Sequence, residues 1–196
     1  MIECVVNISE GSDADALTAL VRACGPDLLD LHADPDHNRS VFTLIGTEAP
    51  RRLARRAVEL LDIDSHRGIH PRLGVVDVVP FVPLGETPLS EALRARDEFA
   101  RWAADELGLP VFVYGPLDGA DRQLPDIRRG AWRDVQPTFG PSHPHPSAGA
   151  MCVGARRVLV AYNLWLEPST SEASTRAIAR AVRGDGIRSL ALFPHG

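Results

Sequence analysis

The stretch HRGIHPRLG, residues 66–74, holds the side chains best suited to chemistry in this sequence. Histidine has an unperturbed pKa near neutrality, so it can accept and donate protons at physiological pH. An arginine beside it can hold a carboxylate through two parallel hydrogen bonds. Two histidines, two arginines and two glycines within nine residues favour a functional loop. We predict His70 as its general base and Arg72 as an anion-binding residue.

Two other interpretations of this loop stay open. Its histidines could simply hydrogen-bond to the backbone, as loop histidines commonly do. The spacing of His66 and His70 also fits metal binding, with Asp64 or Asp77 as a third ligand. Metal is the less favoured interpretation, because the glutamate of an HExxH motif is absent and the loop contains a proline that disfavours a helix.

Three other polar segments could contribute to a site. Residues 34–40, DPDHNRS, form a dense polar turn leading into a strand, and Arg39 is the member that turn chemistry requires least. Residues 124–130, LPDIRRG, place two arginines near a predicted helical turn. Residues 141–150, PSHPHPSAGA, resemble an exposed or site-covering loop. The sequence contains no GxGxxG, Walker A or GxSxG motif, so nucleotide cofactor chemistry is not indicated.

Composition limits the class of protein. A chain of 196 residues with 44% hydrophobic and 24% charged residues is typical of one globular domain with a sizeable core. A net charge of -5 argues against nucleic-acid binding. All 21 basic residues are arginine, which excludes a lysine Schiff base on this chain. Cys4, Cys24 and Cys152 are widely spaced, which predicts reduced, buried thiols in a cytoplasmic protein. We expect neither a signal peptide nor a membrane span.

Hydrophobic periodicity supplies the elements that must position these residues. The pattern predicts an α/β (α+β) fold, with a mixed sheet, helices on one face and a ferredoxin-like split-βαβ unit that is loosely duplicated. The other face would need a partner, a second subunit or a ligand to cover it. The predicted strands are 2–8, 28–31, 40–45, 75–82, 111–114, a hairpin over 151–166 that turns at 155–157, and 187–193. The predicted helices are one capped by Ser12 and ending at Cys24, then 48–61, 87–107 and 173–182, with only a helical turn at 126–129 in the long connection 115–150.

Several ordered blocks of sequence carry a family resemblance. The chain resembles the N-terminal subdomain of glutamate formimidoyltransferase, which is also found in formimidoyltransferase-cyclodeaminase. Because several blocks occur in the right order, the resemblance is far more specific than any single motif. The blocks are residues 3–11, 36–43, 66–81, 124–130, 139–141, 153–156 and 160–163.

The resemblance implies a reaction and a site. The reaction is transfer of a formimino group from N-formimino-L-glutamate to tetrahydrofolate, a co-substrate, within histidine and one-carbon metabolism, and no metal is expected. The family's catalytic histidine is the second histidine of its loop, which falls on His70. We infer that Arg72 or Arg39 holds a substrate carboxylate. The remaining predicted substrate-binding residues are Asn38, His66, Gly74 and Arg128.

The sequence also departs from the family pattern. The family loop normally reads HKGEHPR, whereas Ile69 stands here in place of the glutamate, and His32 stands where an acidic residue is common. We expect one domain over residues 1–196 without the family's C-terminal subdomain. A homodimer or a separate chain would then supply that subdomain. Neither a nucleic-acid nor a membrane partner is expected.

Two alternatives to the transferase remain. The chain could be a non-catalytic dimerising or partner-binding module that retains the fold. It could also be a metal-assisted hydrolase that uses His66 and His70.

Overall fold

The structure is a computed structural model that describes residues 1–160, 164–187, 189 and 191. The chain divides into two compact units, Met1–Val158 and Leu159–Gly196. The first unit contains seven strands and four α-helices; the described part of the second contains one further helix. The strands are β1 (Ile2–Ile8), β2 (Leu28–Asp34), β3 (Arg39–Ile45), β4 (Val76–Pro83), β5 (Val111–Leu117), β6 (Ala120–Arg122) and β7 (Met151–Ala155), and the helices are α1 (Ala14–Cys24), α2 (Glu48–Leu60), α3 (Leu89–Leu107), α4 (Leu124–Gly130) and α5 (Glu172–Ala181).

The first four strands form a ferredoxin-like unit. The sheet order is β2-β3-β1-β4-β7-β5-β6, and β1 is antiparallel to both of its neighbours, β3 and β4. Strand β2 is also antiparallel to β3. Strands β1 and β2 are therefore parallel to each other, are joined by α1, and have β3 between them, which is the split-βαβ arrangement. The structure confirms the predicted mixed sheet and its fold class.

A second split unit follows in the same sheet. Helix α3 joins β4 to β5, and β7 lies between these two strands and is parallel to both. The predicted hairpin over 151–166 is wrong, because both edges of β7 are already paired and offer no backbone groups to a following strand. The connection 115–150 also contains more structure than predicted, because β6 was not predicted and α4 is longer than the predicted helical turn at 126–129. The predicted last strand, 187–193, falls mainly outside the described residues.

Three long helices cover one face of the sheet. Apolar residues of α1, α2 and α3 pack against alternate residues of the strands, including Phe42, Phe81 and Val153, in one buried cluster. Burying this apolar surface stabilises the fold. The arrangement confirms helices on one face for α1, α2 and α3.

Helix α4 departs from that prediction. Successive side chains of a strand point to opposite faces, so Phe112 and Cys152 point away from the three long helices. They form a second cluster with Ile127 of α4, and Trp132 packs against it. Helix α4 thus covers β5 and β7 on the opposite face. On the same face, farther along the sheet, β1 and β3 present the half-buried side chains of Asn7 and Arg39.

The cap of α1 also differs from the prediction. The Asp13 carboxylate, not Ser12, accepts hydrogen bonds from the backbone N–H groups of Asp15 and Ala16. The Ser12 hydroxyl instead contacts Glu10 and Asn38, at 3.1 Å each. Ser12 therefore joins the loop after β1 to the turn before β3.

The three cysteines are free and buried, as predicted. Burial raises the pKa of the Cys24 thiol to about 11 and raises those of Cys4 and Cys152 strongly. These thiols are protonated at neutral pH and are poor nucleophiles. Within the described residues, no helix is both long and apolar enough to cross a membrane.

Candidate active site

A buried carboxylate lies on the face of the sheet opposite the three long helices. Asp77 on β4 is fully buried, and its Oδ2 accepts hydrogen bonds from Arg39 Nη1 at 2.8 Å and Arg128 Nη2 at 2.5 Å. Its Oδ1 accepts from the backbone N–H of Leu73 at 2.8 Å. Arg39 also donates to Asn7 Oδ1 through Nε and Nη2, at 3.2 and 3.0 Å. Asp77 therefore ties together β3, α4 and the end of the 66–74 loop.

This cluster carries a surplus positive charge. The single carboxylate of Asp77 balances the charge of only one of the two guanidiniums. The side chains of Arg39 and Arg128 are only 10% and 18% exposed. The Nε of Arg128 is buried and has no hydrogen-bond partner among the described residues. A buried donor without a partner is costly. The arrangement therefore favours an anion beside Arg39 and Arg128.

His70 lies half-buried beside this cationic cluster. Its Nδ1 lies 2.7 Å from the carbonyl oxygen of Pro71. Because a carbonyl can only accept, Nδ1 carries the hydrogen, and Nε2 of the neutral ring keeps its lone pair. Burial, then Arg39 and Arg128, lower the pKa of His70 from its ordinary 6.5 to about 4. The ring is therefore neutral at physiological pH, the form required of a proton acceptor.

His66 has a different position from His70. It is buried, its Nε2 donates to the carbonyl oxygen of Asn38 at 2.7 Å, and its Nδ1 has no partner among the described residues. Burial is the main cause that lowers the pKa of His66. Among the described residues, no three His, Cys, Asp or Glu side chains are grouped so as to hold a metal ion.

Asn38 joins the three loops that border the site. Its Oδ1 accepts from the backbone N–H of Gly11 at 2.8 Å, and its Nδ2 donates to the carbonyl oxygen of Arg67 at 2.9 Å. Its φ is +44°, a left-handed conformation that asparagine tolerates better than most residues. Asn38 thus fixes the turn before β3 against the loops that contain Gly11 and Arg67.

Arg72 is directed into its own loop. Its two Nη atoms donate to the carbonyl oxygens of Gly68, His70 and His66, at 3.1, 3.3 and 3.2 Å. Burial is the main cause that lowers its pKa, and Asp77 opposes that effect. Arg72 therefore holds the loop closed around His70, and its guanidinium has these backbone partners in the structure.

Gly74 ends the loop where two backbone segments cross. Its carbonyl accepts from the Ser9 hydroxyl at 2.8 Å. A Cβ at this position would overlap backbone atoms of Ala148 and Ala150, with the Ala150 nitrogen only 2.7 Å away. Only glycine fits this crossing, which places the loop next to residues 147–150.

The sequence analysis included Asp34 and His37 only as members of the polar turn 34–40, without selecting either, and assigned Asp77 only a possible metal-binding role. The Asp34 carboxylate accepts from the backbone N–H of His37 at 2.9 Å and contacts its Nδ1 at 2.8 Å. The ring of His37 lies edge-to-face with that of His70, with 6.2 Å between centroids. Turn chemistry explains an Asp-Pro-Asp segment adequately, so the sequence alone gave no reason to select His37. The sequence signal that could have identified Asp77 was its position as a single charged residue among the valines of β4.

Two surface cavities lie away from this cluster. One, of about 420 Å³, is lined mainly by the arginines of α2 and by Trp102. Arg52 there is bound to Ala23, Cys24 and Asp27, and Arg51 and Arg55 lie over the Trp102 ring at 5.6 Å. The other, of about 520 Å³, lies near Pro83 and Arg157. Neither cavity is lined by a histidine or a buried carboxylate. The chemistry therefore favours the group formed by His70, Asp77, Arg39 and Arg128, which we call the His70 cluster.

Comparison with known proteins shows which proteins this chain is similar to. Residues 1–156 match the formiminotransferase domain, N-terminal subdomain. The chain is 36% identical over 206 residues to formimidoyltransferase-cyclodeaminase of Sus scrofa, covering 95% of this chain and 38% of that protein. It is 36% identical over 208 residues to glutamate formimidoyltransferase of Streptococcus pyogenes serotype M1, covering 95% and 69%. The glutamate formimidoyltransferase of Thermoplasma acidophilum is 36% identical over 223 residues, covering 98% and 72%.

These matches differ in how much of each relative they span. The chain spans 38% of the bifunctional relative and about seven tenths of the two glutamate formimidoyltransferases. Within this chain the match to the domain covers β1 to β7 and every residue of the His70 cluster. The chain therefore belongs to the formiminotransferase family, and residues 1–156 are its N-terminal subdomain.

Proposed function

We propose that this protein transfers the formimino group of N-formimino-L-glutamate to tetrahydrofolate, with His70 as the general base. The observation that carries the proposal is the neutral His70 ring, whose Nδ1 is bound to the Pro71 carbonyl and whose Nε2 is available. Two of the relatives are named glutamate formimidoyltransferase. We place the reaction in the cytoplasm, where its free thiols remain reduced.

The chemistry requires a proton acceptor next to an amidine. The folate amine attacks the amidine carbon, a new C–N bond forms, and the amine proton passes to Nε2 of His70. The tetrahedral intermediate then collapses, the bond to the glutamate nitrogen breaks, and that nitrogen takes up a proton as it leaves. One imidazole can in principle serve both steps, since general acid and base catalysis are the reverse of each other.

Arg39 and Arg128 can bind formiminoglutamate, the donor of the formimino group. We assign a carboxylate of formiminoglutamate to Arg128 and Arg39, because the pair carries the surplus charge and the unpartnered Arg128 Nε. A bound carboxylate would offset the two guanidiniums that depress the proton affinity of His70. His70 would therefore be a stronger base with its substrate bound than without it.

The other predicted substrate-binding residues have supporting roles in this proposal. Asn38 and His66 fix the loops, Arg72 closes the loop around His70, and Gly74 permits the backbone crossing. We assign them to shaping the substrate site. Arg72 reaches a substrate carboxylate only if it releases one of its backbone carbonyls.

We propose further that surfaces outside the N-terminal subdomain complete the folate site. A C-terminal subdomain, in the same polypeptide or in a separate chain, or a second copy of this chain would supply them. The match to an N-terminal subdomain and the partial span of the relatives support this.

The experiment is a transfer assay with formiminoglutamate and tetrahydrofolate on the purified chain, alone and with a formiminotransferase C-terminal subdomain added. His70→Gln should lower turnover at least about a hundredfold, the usual scale for losing a general base. His143→Gln, an exposed histidine, is the matched control and should leave turnover unchanged. Unchanged turnover in His70→Gln would overturn the proposal. A wild-type chain without transfer activity or folate binding in either setting would favour the partner-binding module.

A further inference from the structure

His37 is a second imidazole at the same site, and the proposed function does not yet use it. It lies in the turn between β2 and β3, and its side chain is 26% exposed. The Asp34 carboxylate contacts it twice, through the backbone N–H and through Nδ1. The hydrogen bond from the His37 backbone is the largest cause that lowers the pKa of Asp34, so this carboxyl is ionised. Its negative charge faces the His37 ring directly.

The two rings lie side by side in the site. Their centroids are 6.2 Å apart, with 87° between the ring planes. Each ring has its Nδ1 engaged, in His37 by the Asp34 carboxylate and in His70 by the Pro71 carbonyl. Since an engaged Nδ1 leaves Nε2 as the other ring nitrogen, Nε2 is the atom of each ring that remains for proton transfer.

The surroundings of the two rings differ in charge. His70 is next to two guanidiniums, Arg39 and Arg128, which oppose a positive charge on its ring. His37 has the Asp34 carboxylate on its Nδ1 side, at 2.8 Å. Proton donation from Nε2 requires the imidazolium form of this ring, for which a carboxylate at Nδ1 is a suitable hydrogen-bonded counter-ion. Two proton-transfer groups whose environments differ in this way are a common arrangement for an acid and a base in one site.

We propose that His37, oriented by Asp34, is the general acid that protonates the departing glutamate nitrogen, while His70 is the base. The inference rests on the proposed formimino transfer and divides its two proton transfers between two rings. The geometry allows it, because the two nitrogens bonded to one tetrahedral carbon are close enough for each to meet a different ring. Each ring needs a separation of about 2.6–3.2 Å from its own nitrogen.

Atoms and charges balance in this scheme. As the folate nitrogen bonds to the amidine carbon, its proton passes to Nε2 of His70. The electron pair of the breaking C–N bond then moves to the glutamate nitrogen, which takes the proton of His37 Nε2 as the formimino double bond re-forms. His70 ends with one proton more and His37 with one fewer. Exchange with water resets both rings before the next turnover.

The test uses the basicity of the leaving group. We compare formiminoglutamate with a formimidate ester whose leaving group is a phenol bearing two carboxylates. A phenolate is a stable anion and departs without prior protonation when its C–O bond breaks. His37→Gln should therefore lower kcat about a hundredfold with formiminoglutamate and less than about threefold with the phenol ester. His70→Gln should lower kcat strongly with both donors, because the attacking amine is the same.

Asp34→Asn should reproduce the donor dependence of His37→Gln in weaker form, because the ring loses its anionic partner. Asp36→Asn, a change at an exposed carboxylate two residues away, is the matched control and should leave both rates unchanged. An equal loss with both donors in His37→Gln would show a structural role and overturn the inference, as would full activity with formiminoglutamate. Absence of transfer by the wild-type protein would instead overturn the proposed function, and this inference with it.

Discussion

The proton affinity of His70 is set by its neighbours. Partial burial and the guanidiniums of Arg39 and Arg128 disfavour the charged ring, while the Pro71 carbonyl and Asp77 favour it. The first group of effects dominates and moves the pKa from 6.5 to about 4. The contacts that keep His70 uncharged as a base therefore also disfavour protonation of His70 in the folded protein.

This depressed pKa predicts a pH dependence of stability. An unfolded chain protonates His70 near pH 6.5, whereas the folded chain does so only near pH 4. The unfolded state thus binds more protons between these values, and the free energy of unfolding should fall as pH decreases from 6.5 to 4 and stay level above about 7. His66, whose pKa is also lowered, acts in the same direction.

Urea denaturation at pH 7.5 and pH 4.5 measures this effect. The decrease in unfolding free energy should be smaller in His70→Gln than in the wild-type protein, because the variant lacks one of the responsible groups. His143→Gln should behave as the wild type. An identical decrease in wild type and His70→Gln would show that His70 is not desolvated as described.

Arg128 and Arg129 are adjacent in sequence but differ in surroundings, which provides a second prediction. Arg128 donates to buried Asp77, whereas the Arg129 side chain is 70% exposed and pairs with Asp126 on its own helix. Arg128→Gln should raise KM for formiminoglutamate about 10- to 100-fold, since a hydrogen bond to a charged group contributes about 1.5–3 kcal/mol. Arg39 still pairs with Asp77 in this variant, so the fold should remain intact.

Arg129→Gln is the control. Its KM should change less than about twofold, because the exposed ion pair of Arg129 with Asp126 contributes little free energy. Steady-state kinetics with varied formiminoglutamate measures both. A loss of kcat without a change in KM in Arg128→Gln would contradict its assignment to the donor carboxylate.

At the level of elements, the site depends on loops that a rigid sheet holds in place. Strand β4 carries Asp77, β3 begins with Arg39 and α4 supplies Arg128, so three separate elements meet at one carboxylate. Asn38 and Arg72 then fasten the loops to one another through backbone groups. Catalytic loops held in this manner keep the geometry that a reaction requires.

Gly74 offers a test of this loop arrangement. Gly74→Ala would place a methyl group on the backbone of Ala148 and Ala150, which cannot move aside as a flexible side chain can. We expect unfolding to become easier by at least about 2 kcal/mol, within the range for overpacked sites. Transfer activity should fall as well, because the loop before Gly74 carries His70.

The control for this prediction is Gly184→Ala. Apart from its two chain neighbours, no described residue has an atom within 4 Å of a Cβ added at Gly184, and its backbone is not left-handed, so added bulk should be tolerated there. Thermal and urea denaturation of both variants provide the comparison. Equal stability of Gly74→Ala and the wild-type protein would show that the loop and residues 147–150 are not in close contact.

At the scale of the whole molecule, the core belongs to the first unit. Every residue that the structure describes as buried lies between Cys4 and Ala155, and none of the described residues beyond Val158 is buried. A chain of residues 1–158 should therefore unfold cooperatively on its own. Its unfolding free energy should be within about 1 kcal/mol of that of the full chain, a small change beside the usual 5–15 kcal/mol, roughly, of a domain.

Parallel urea denaturation of the two chains tests this expectation, with circular dichroism as the probe of folding. A non-cooperative transition in the shorter chain would contradict it and would assign residues 159–196 a necessary role in the fold. A dimer in one chain and a monomer in the other would assign the second unit to the proposed partner contact.

The sequence by itself determined most elements of the first unit and the loop that carries the main catalytic candidate. Apolar periodicity is a local property, so β1, α2 and α3 were predicted closely, and the mixed sheet with its split-βαβ unit followed from their order. The composition of residues 66–74 selected this loop, and the family resemblance pointed to His70 within it. The assignment of His70 as catalytic remains a prediction that the transfer assay tests.

Only the tertiary structure decided which residues share a site. Asp77, Arg39 and Arg128 are separated by 38 and 51 positions along the chain, and no local pattern shows that they meet. The same holds for the insertion of β7 between β4 and β5, since strand pairing depends on which sheet edge is free. His37 appeared in the sequence as an ordinary turn residue. Its nearness to His70 results from the packing of two loops 33 residues apart, which folding alone establishes.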